Sequence, residues 1–279
     1  MKKKHQPSNM TLYGIGLGVV LLGGTIMSLK STMFPEPLAA CTERYLGGLD
    51  FPAQAADRTP VGIRDIQTRL GFDEWGLVEH VALSAVKIGP YGHAFQVAIP
   101  SGTSGDKNAA RKGGMSFTWK PGIQGGASAA CLSYAVNLPS GFEFHEGGML
   151  PGLFGGAEPR TGKAGFGARV MWRHGGAGDV LMTVPGTGER GMGLPGATWT
   201  FPTGRWVNIE QEVRLNSPGQ ANGTLAIWID GRLRVELNNL AFRSQENVRL
   251  EGVLSDVYYN ALAPSETSLQ LTNFNLRWK

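Results

Sequence analysis

The sequence predicts an all-β domain, a jelly roll of two antiparallel sheets, preceded by one N-terminal transmembrane helix. Three observations carry that reading. Glycine occurs 41 times and proline 16 times among 279 residues, while only 17% are charged, a composition of many turns between short apolar runs. Those runs alternate with a period of two, which puts every second side chain on one face of a strand. At the N-terminus, Lys2, Lys3 and Lys4 precede a stretch from Thr11 to Leu29 without a charge, close to the roughly 20 residues a helix needs to cross a bilayer core.

Residues 1–35 are therefore read as a cytoplasmic tip and a transmembrane signal anchor, 36–56 as a linker and 57–279 as the folded domain. The lysines hold the cytoplasmic side, so the domain is expected outside the cytoplasm, periplasmic or extracellular and tethered to the membrane. Two other fates are open to the same segment: secretion after signal cleavage, and lipoprotein processing at Cys41, since Leu38-Ala39-Ala40-Cys41 is similar to a bacterial lipobox. Lys30, Pro35 and Pro37 separate that tetrapeptide from the apolar run, which argues against the lipoprotein route. The two cysteines, Cys41 and Cys131, form no CxxC and suggest no metal site. Outside the cytoplasm they are free to pair, though spacing alone does not decide it. The net charge of +4 owes much to the three N-terminal lysines. The domain is thus near balance, without the concentrated basic face that nucleic acid requires.

Within the domain, Asp65 to Leu70 reads as a short helical turn. Val78–Val86, Ala94–Ile99, Met115–Trp119 and Ala130–Leu138 read as strands, with a polar loop over 101–114. The stretch from Phe142 to Trp172 organises the rest. Its glycine pairs Gly147-Gly148 and Gly155-Gly156 permit close backbone approach, and the intervening segment is expected to fold across a sheet face rather than continue as a strand. Phe166–Arg173 returns as a strand with Ala168, Val170 and Trp172 on one face and Arg169, Met171 and Arg173 on the other. Val180–Val184 and Arg205–Leu215 follow, then a hairpin of Thr224–Ile229 and Arg232–Leu237 around Asp230-Gly231, a strong turn signal. Val248–Tyr259 and Ser268–Trp278 complete two packed sheets. No P-loop, HExxH or Ser-His-Asp elbow is present, and neither Gly14-Ile15-Gly16 nor Gly186-Thr187-Gly188 has the setting of a nucleotide loop. No cofactor is expected.

Several segments together resemble polysaccharide lyase family 14, the jelly-roll alginate and glucuronan lyases. Gly147 to Gly156, GGMLPGLFGG, is similar to the family's GGKLPGLYGG, and Arg169 to Arg173, RVMWR, to its RLMWR. Leu215 to Gly223 and Ile227 to Gly231 resemble LNTPGxxNG and VWxDG, and Val257-Tyr258-Tyr259-Asn260 stands where the family often has TFFGG. The resemblance covers about 130–279. It implies a jelly roll and β-elimination on an acidic, uronate-containing polysaccharide. The family's lysine falls on Met149, its serine on Gly167 and its two tyrosines on Leu181 and Thr183, whereas its arginine is kept as Arg169.

A uronate lyase must neutralise the sugar carboxylate, remove the proton on the adjacent ring carbon and protonate the leaving oxygen. A guanidinium suits the first task because it grips a carboxylate with two hydrogen bonds. Arg169 is the candidate, with Arg173 assisting from the same strand face; the alternative is that Arg169 pairs with a buried carboxylate. His145 and His174, flanking the central stretch, and Tyr258 are the proton-transfer candidates. Lys163 stands in for the missing lysine if its loop turns inward, and Trp172, Phe154, Tyr258 and Tyr259 are the candidate sugar-facing aromatics. Two functions stay open: an exported lyase, and a non-catalytic polysaccharide-binding protein serving exopolysaccharide production or envelope assembly.

Overall fold

The computed structural model describes residues 38–51, 55, 57, 59–70, 74–194, 196 and 198–279. The transmembrane helix expected over 1–35 lies outside the described residues, and among those described no helix is long and apolar enough to cross a membrane.

Among the described residues, fifteen strands follow in chain order: β1 Gly48–Phe51, β2 Glu74–Trp75, β3 Val81–Ile88, β4 Tyr91–Ile99, β5 Met115–Trp119, β6 Ala129–Leu138, β7 Gly148–Gly156, β8 Gly165–Trp172, β9 Gly178–Thr183, β10 Arg205–Arg214, β11 Gly223–Ile229, β12 Arg232–Leu240, β13 Leu250–Tyr259, β14 Thr267–Leu271 and β15 Phe274–Trp278. Two short helices, α1 Ile63–Arg69 and α2 Leu77–His80, lie between β1 and β3. The larger sheet runs β12-β11-β10-β6-β14-β4-β3, with β15 beside β6 and β1 beside β15; the smaller runs β2-β5-β13-β7-β8-β9. The result is an antiparallel sandwich. Its core includes Phe95, Leu132, Ile209 and Leu276 from the larger sheet and Leu153, Val170, Val180 and Val253 from the smaller.

Alternation decides which side chains enter that core. On β8, Phe166, Ala168, Val170 and Trp172 join it, whereas Met171 belongs to a separate cluster with Met149 and Leu181 on the far face of the smaller sheet. The hairpin turn is as expected: Asp230 and Gly231 both have positive φ, 50° and 73°, the twist that suits two-residue hairpins.

Four expectations are corrected. Residues 148–156 do not leave the sheet but form β7, paired on both sides with β13 and β8. Their glycines serve close approach: a β-carbon at Gly152 would strike the Ala168 carbonyl. A register shift between Met149 and Gly152 accommodates Pro151, which has no N–H to give a ladder. The β-strand expected from Val78 starts at Val81, because Leu77–His80 coils into α2. Ser268–Trp278 is two strands. Thr272 interrupts it and fills the gap, its Oγ1 accepting the Ala135 N–H at 2.8 Å.

The fourth correction concerns the expected linker. Gly48–Phe51 pairs with β15, and Phe51 packs among Phe95, Phe117 and Phe274 in the core. Just upstream, Cys41 and Cys131 form a disulfide across 90 residues of sequence. The bridge sits on the outer face of the larger sheet with Tyr45, Ala129 and Trp228. Arg44 forks onto Glu212 at 3.0 and 2.8 Å, and Tyr45 donates to the same carboxylate at 2.6 Å. The compact unit that holds the sandwich therefore runs from Ala39 to Lys279 and includes residues ahead of Asp57.

Closing so long a loop restricts the unfolded chain, so Cys41→Ser with Cys131→Ser should lower unfolding free energy by about 2–5 kcal/mol. Denaturant titration of oxidised and reduced protein checks this; an unchanged midpoint on reduction would show that the bridge carries no stability.

Candidate functional site

The outer face of the smaller sheet carries a cavity of about 390 Å³, whose lining includes Trp75, Ser116, Met149, Arg160, Arg169, Leu181 and Tyr258. Six of these come from the strands themselves, one from each strand of the smaller sheet, where the pleat turns them to the outer face. Arg160 arrives from a loop, the connection between β7 and β8.

At the cavity floor is Asp256, fully buried. Arg169 Nη1 donates to its Oδ2 at 2.7 Å. Arg160 grips it from the loop, Nη2 to Oδ1 at 2.8 Å and Nε to Oδ2 at 3.2 Å. Ser116 Oγ, directly across the β5–β13 pairing, donates to Oδ1 at 2.7 Å and accepts Arg160 Nη2 at 3.0 Å. Burial would raise this carboxyl, but the Arg160 and Arg169 charges, with the Arg160 and Ser116 hydrogen bonds, overcome that and hold it at about 2. Two guanidiniums share one carboxylate, leaving the cluster a single positive charge. The two differ in access: the Arg169 side chain is 4% exposed and its Nε is buried without a partner, while the Arg160 side chain is 40% exposed.

Tyr258 stands beside the cluster. Its ring stacks on Trp75 with centroids 5.8 Å apart, and the Gly105 backbone lies so close that a β-carbon there would enter the ring. Burial, then the neighbouring Asp256 charge, push the phenol well above the usual tyrosine range, so it is a protonated group. At the rim, Lys107 pairs with Glu189 at 2.5 Å, and Lys112 lies 5.1 Å over the Trp75 ring while donating to the Asp106 carbonyl at 3.1 Å.

Only Arg169 and Tyr258 among the sequence candidates meet here, and Arg169 meets it as the partner of a buried carboxylate. His145 and His174 are exposed and touch each other, ring to backbone carbonyl at 3.3 Å, away from the cavity. Arg173 falls just beyond β8 and pairs with Asp179 at 2.8 Å. Lys163 lines a separate cavity with Arg243 and Glu251. Trp172 and Tyr259 are in the sandwich core, and Phe154 is fully buried, so none of the three is a sugar-facing surface. The alternation that turned Arg169 outward necessarily turned Trp172 inward, and adjacent Tyr258 and Tyr259 cannot share a face. The same rule could have found Asp256, two residues before Tyr258 on β13. Arg160 carried no such signal, because its place depends on how a loop folds back.

The model of the polysaccharide lyase 14 family matches residues 90–261. The chain belongs to that family. Among solved structures, this family member is similar to the PL-14 alginate lyase from Aplysia kurodai, with a TM-score of 0.69, 21% identity, 84% of this chain and 99% of that one covered. It is similar also to an alginate lyase from Chlorella virus, at a TM-score of 0.59 and 18% identity over 77% of this chain and 97% of the other. An endo-beta-1,4-glucuronan lyase from the fungus Trichoderma reesei follows at 0.51 and 12%, covering 71% of this chain and 87% of its own. These likenesses establish the shared sandwich. No curated protein matches the chain.

Asp256 makes acid stability measurable. Its folded value lies below the ordinary 3.8, so its stabilisation is complete above 3.8 and is lost as pH falls toward about 2. Asp256→Asn, which strands the buried Arg169 charge, should cost about 3–5 kcal/mol at neutral pH and flatten the acid limb of the stability curve. An unfolding series across that pH range tests both effects.

Proposed function

We propose that this polysaccharide lyase family member engages an acidic, uronate-containing polysaccharide in the cavity above β13 and β8. The observation that carries the reading is the Arg160–Asp256–Arg169 cluster, two guanidiniums on one carboxylate, which leaves one net positive charge at the cavity wall. The alginate and glucuronan lyases of like fold support the choice of polymer.

The geometry supports capture more strongly than turnover. β-Elimination needs a group to take the ring proton, and among the described residues both histidines offered for that role lie outside the cavity. Tyr258 is protonated and suits the opposite task. That phenol is the observation favouring the second reading, a lyase in which Tyr258 protonates the leaving oxygen. For location, we propose an exported domain tethered by the N-terminal apolar segment, working with exopolysaccharide or envelope machinery. The Cys41–Cys131 bridge supports an oxidising compartment.

Calorimetry with alginate, polyglucuronate and a neutral glucan should give binding to the two acidic polymers alone. Incubation followed by ultraviolet absorbance of unsaturated chain ends separates the readings. Under capture no signal develops. Under turnover it develops and is lost in Tyr258→Phe, while binding changes by no more than about tenfold, the upper end expected for one neutral hydrogen bond. Equal binding of the neutral glucan would overturn the proposal.

A further inference from the structure

A cavity of about 460 Å³ lies where β10 begins and β11 turns into β12. Its lining includes Trp199, Thr200, Arg205, Asp230, Arg232 and Arg234, and it shares no residue with the cavity above β13 and β8. Part of the wall is fixed by Trp199. The indole fills the space beside Gly178, where a β-carbon would enter the ring, and meets Phe201 edge to face with centroids 5.8 Å apart. The Trp199 carbonyl accepts the Gly178 N–H at 2.9 Å. Asp230 fixes another part. Its Oδ1 accepts the Asn208 N–H at 2.9 Å and its Oδ2 accepts Arg205 Nη1 at 2.9 Å, so a carboxylate tied to the sheet orients the first guanidinium.

Arg232 and Arg234 come from β12, the edge of the larger sheet. The ladder pairs Trp228 with Leu233 and Ile227 with Val235, so Arg234 is the extra residue of a β-bulge. In an unbroken ladder Arg234 would stand opposite Ile227, a core residue, and share its face. The bulge gives that place to Val235 and leaves Arg234 beside Arg232 at the cavity, the kind of re-aiming that bulges perform. Charge protects an edge strand from unwanted pairing, and that accounts for β12. It does not account for Arg205, which stands two strands in from the edge and lines the same cavity. All three arginines are exposed, and among the described residues Asp230 is the only acidic partner any of them has. Three guanidiniums against one carboxylate leave two positive charges, which repel each other unless an anion is shared.

We infer that Arg205, Arg232 and Arg234 form a binding site for a doubly charged phosphate group, free or carried as a monoester on a sugar. Two unmatched positive charges suit a phosphate dianion, and planar guanidiniums from three positions can donate to several of its oxygens at once. The cavity is large enough to admit a sugar bearing the group. Asp230 is a positioning residue that holds Arg205 in place. The site stands independently of the uronate reading, because the two cavities have no lining residue in common.

Calorimetry of the full chain at low salt, with inorganic phosphate, glucose-1-phosphate, glucuronate and glucose as probes, tests the site. Phosphate and its glucose ester should each bind once per chain, and glucose should not bind. Tighter binding of the ester identifies a sugar phosphate as the source, and equal binding identifies the phosphate group alone; either result upholds the site. Arg232→Gln and Arg234→Gln should each weaken phosphate binding at least about tenfold, the order expected for a lost charge-assisted hydrogen bond. The unfolding midpoint of the phosphate-free chain should stay the same in both, since the replaced side chains are exposed. Asp230→Asn raises the local positive charge but releases Arg205. Weaker binding in that variant marks a positioning role, and stronger binding would overturn that role. If neither phosphate nor the ester binds at millimolar concentration, or if both arginine variants bind as the native chain does, the site is overturned. If glucuronate binds more tightly than the ester, the cavity reads carboxylates and the phosphate assignment falls.

Discussion

The buried carboxylate of Asp256 is the constraint on which the rest of the cavity depends. An isolated anion in the interior is prohibitively costly, and even a paired one stabilises a fold less than its contacts suggest. What such a group does enforce is position. Asp256 gathers β5 through Ser116, β8 through Arg169 and the β7–β8 loop through Arg160, and none of the four can move without leaving a charge or a donor unmatched. The cavity wall is thereby rigid before any ligand arrives, which lowers the ordering cost of binding.

The sandwich prepares that rigidity from behind. Gln211 on β10 is fully buried and bridges the sheets, its Oε1 accepting the Leu153 N–H at 2.9 Å and its Nε2 donating to the Ala168 carbonyl at 2.9 Å. Tyr134 adds a hydroxyl to the Pro151 carbonyl at 3.0 Å. Both ties meet the stretch where β7 changes register against β8, so backbone groups that the ladder passes over are satisfied from the opposite sheet. Glycine at 152 and 155 brings the neighbouring strands close enough to work. The irregular strand directly under Arg169 is thus as firmly held as a regular one.

How much of this was legible follows from which signals are local. Alternation is local, and it separates Arg169 and Met171 from Trp172 across the two faces of β8; it does not say which face meets the core, and Trp172, expected to face sugar, is inside. The Asp230-Gly231 turn is local too. The β7 glycines were harder, because a glycine pair marks a bend and a close strand contact equally well, and only the partner strand decides. Gly167 and Thr183 read in the sequence as departures from the family's serine and tyrosine. In the fold they are complementary small residues that give the Pro159 carbonyl its seat. No single position announces such a pairing, because it joins residues from two strands and a loop. Arg173 failed for a related reason: the strand ends one residue earlier, and the alternation that assigned it a face no longer applied.

The bond between Cys41 and Cys131 has a mechanical consequence. Cys131 is on β6, which is paired to β10 on one side and to β15 and β14 on the other. Tension on the chain ahead of Cys41 is therefore delivered into the middle of the larger sheet, where it must shear several ladders at once. Without the bond the same pull would peel β1 from β15 a residue at a time. The load also enters on the sheet remote from the cavity, so a taut chain could be anchored at one face while the other keeps its shape.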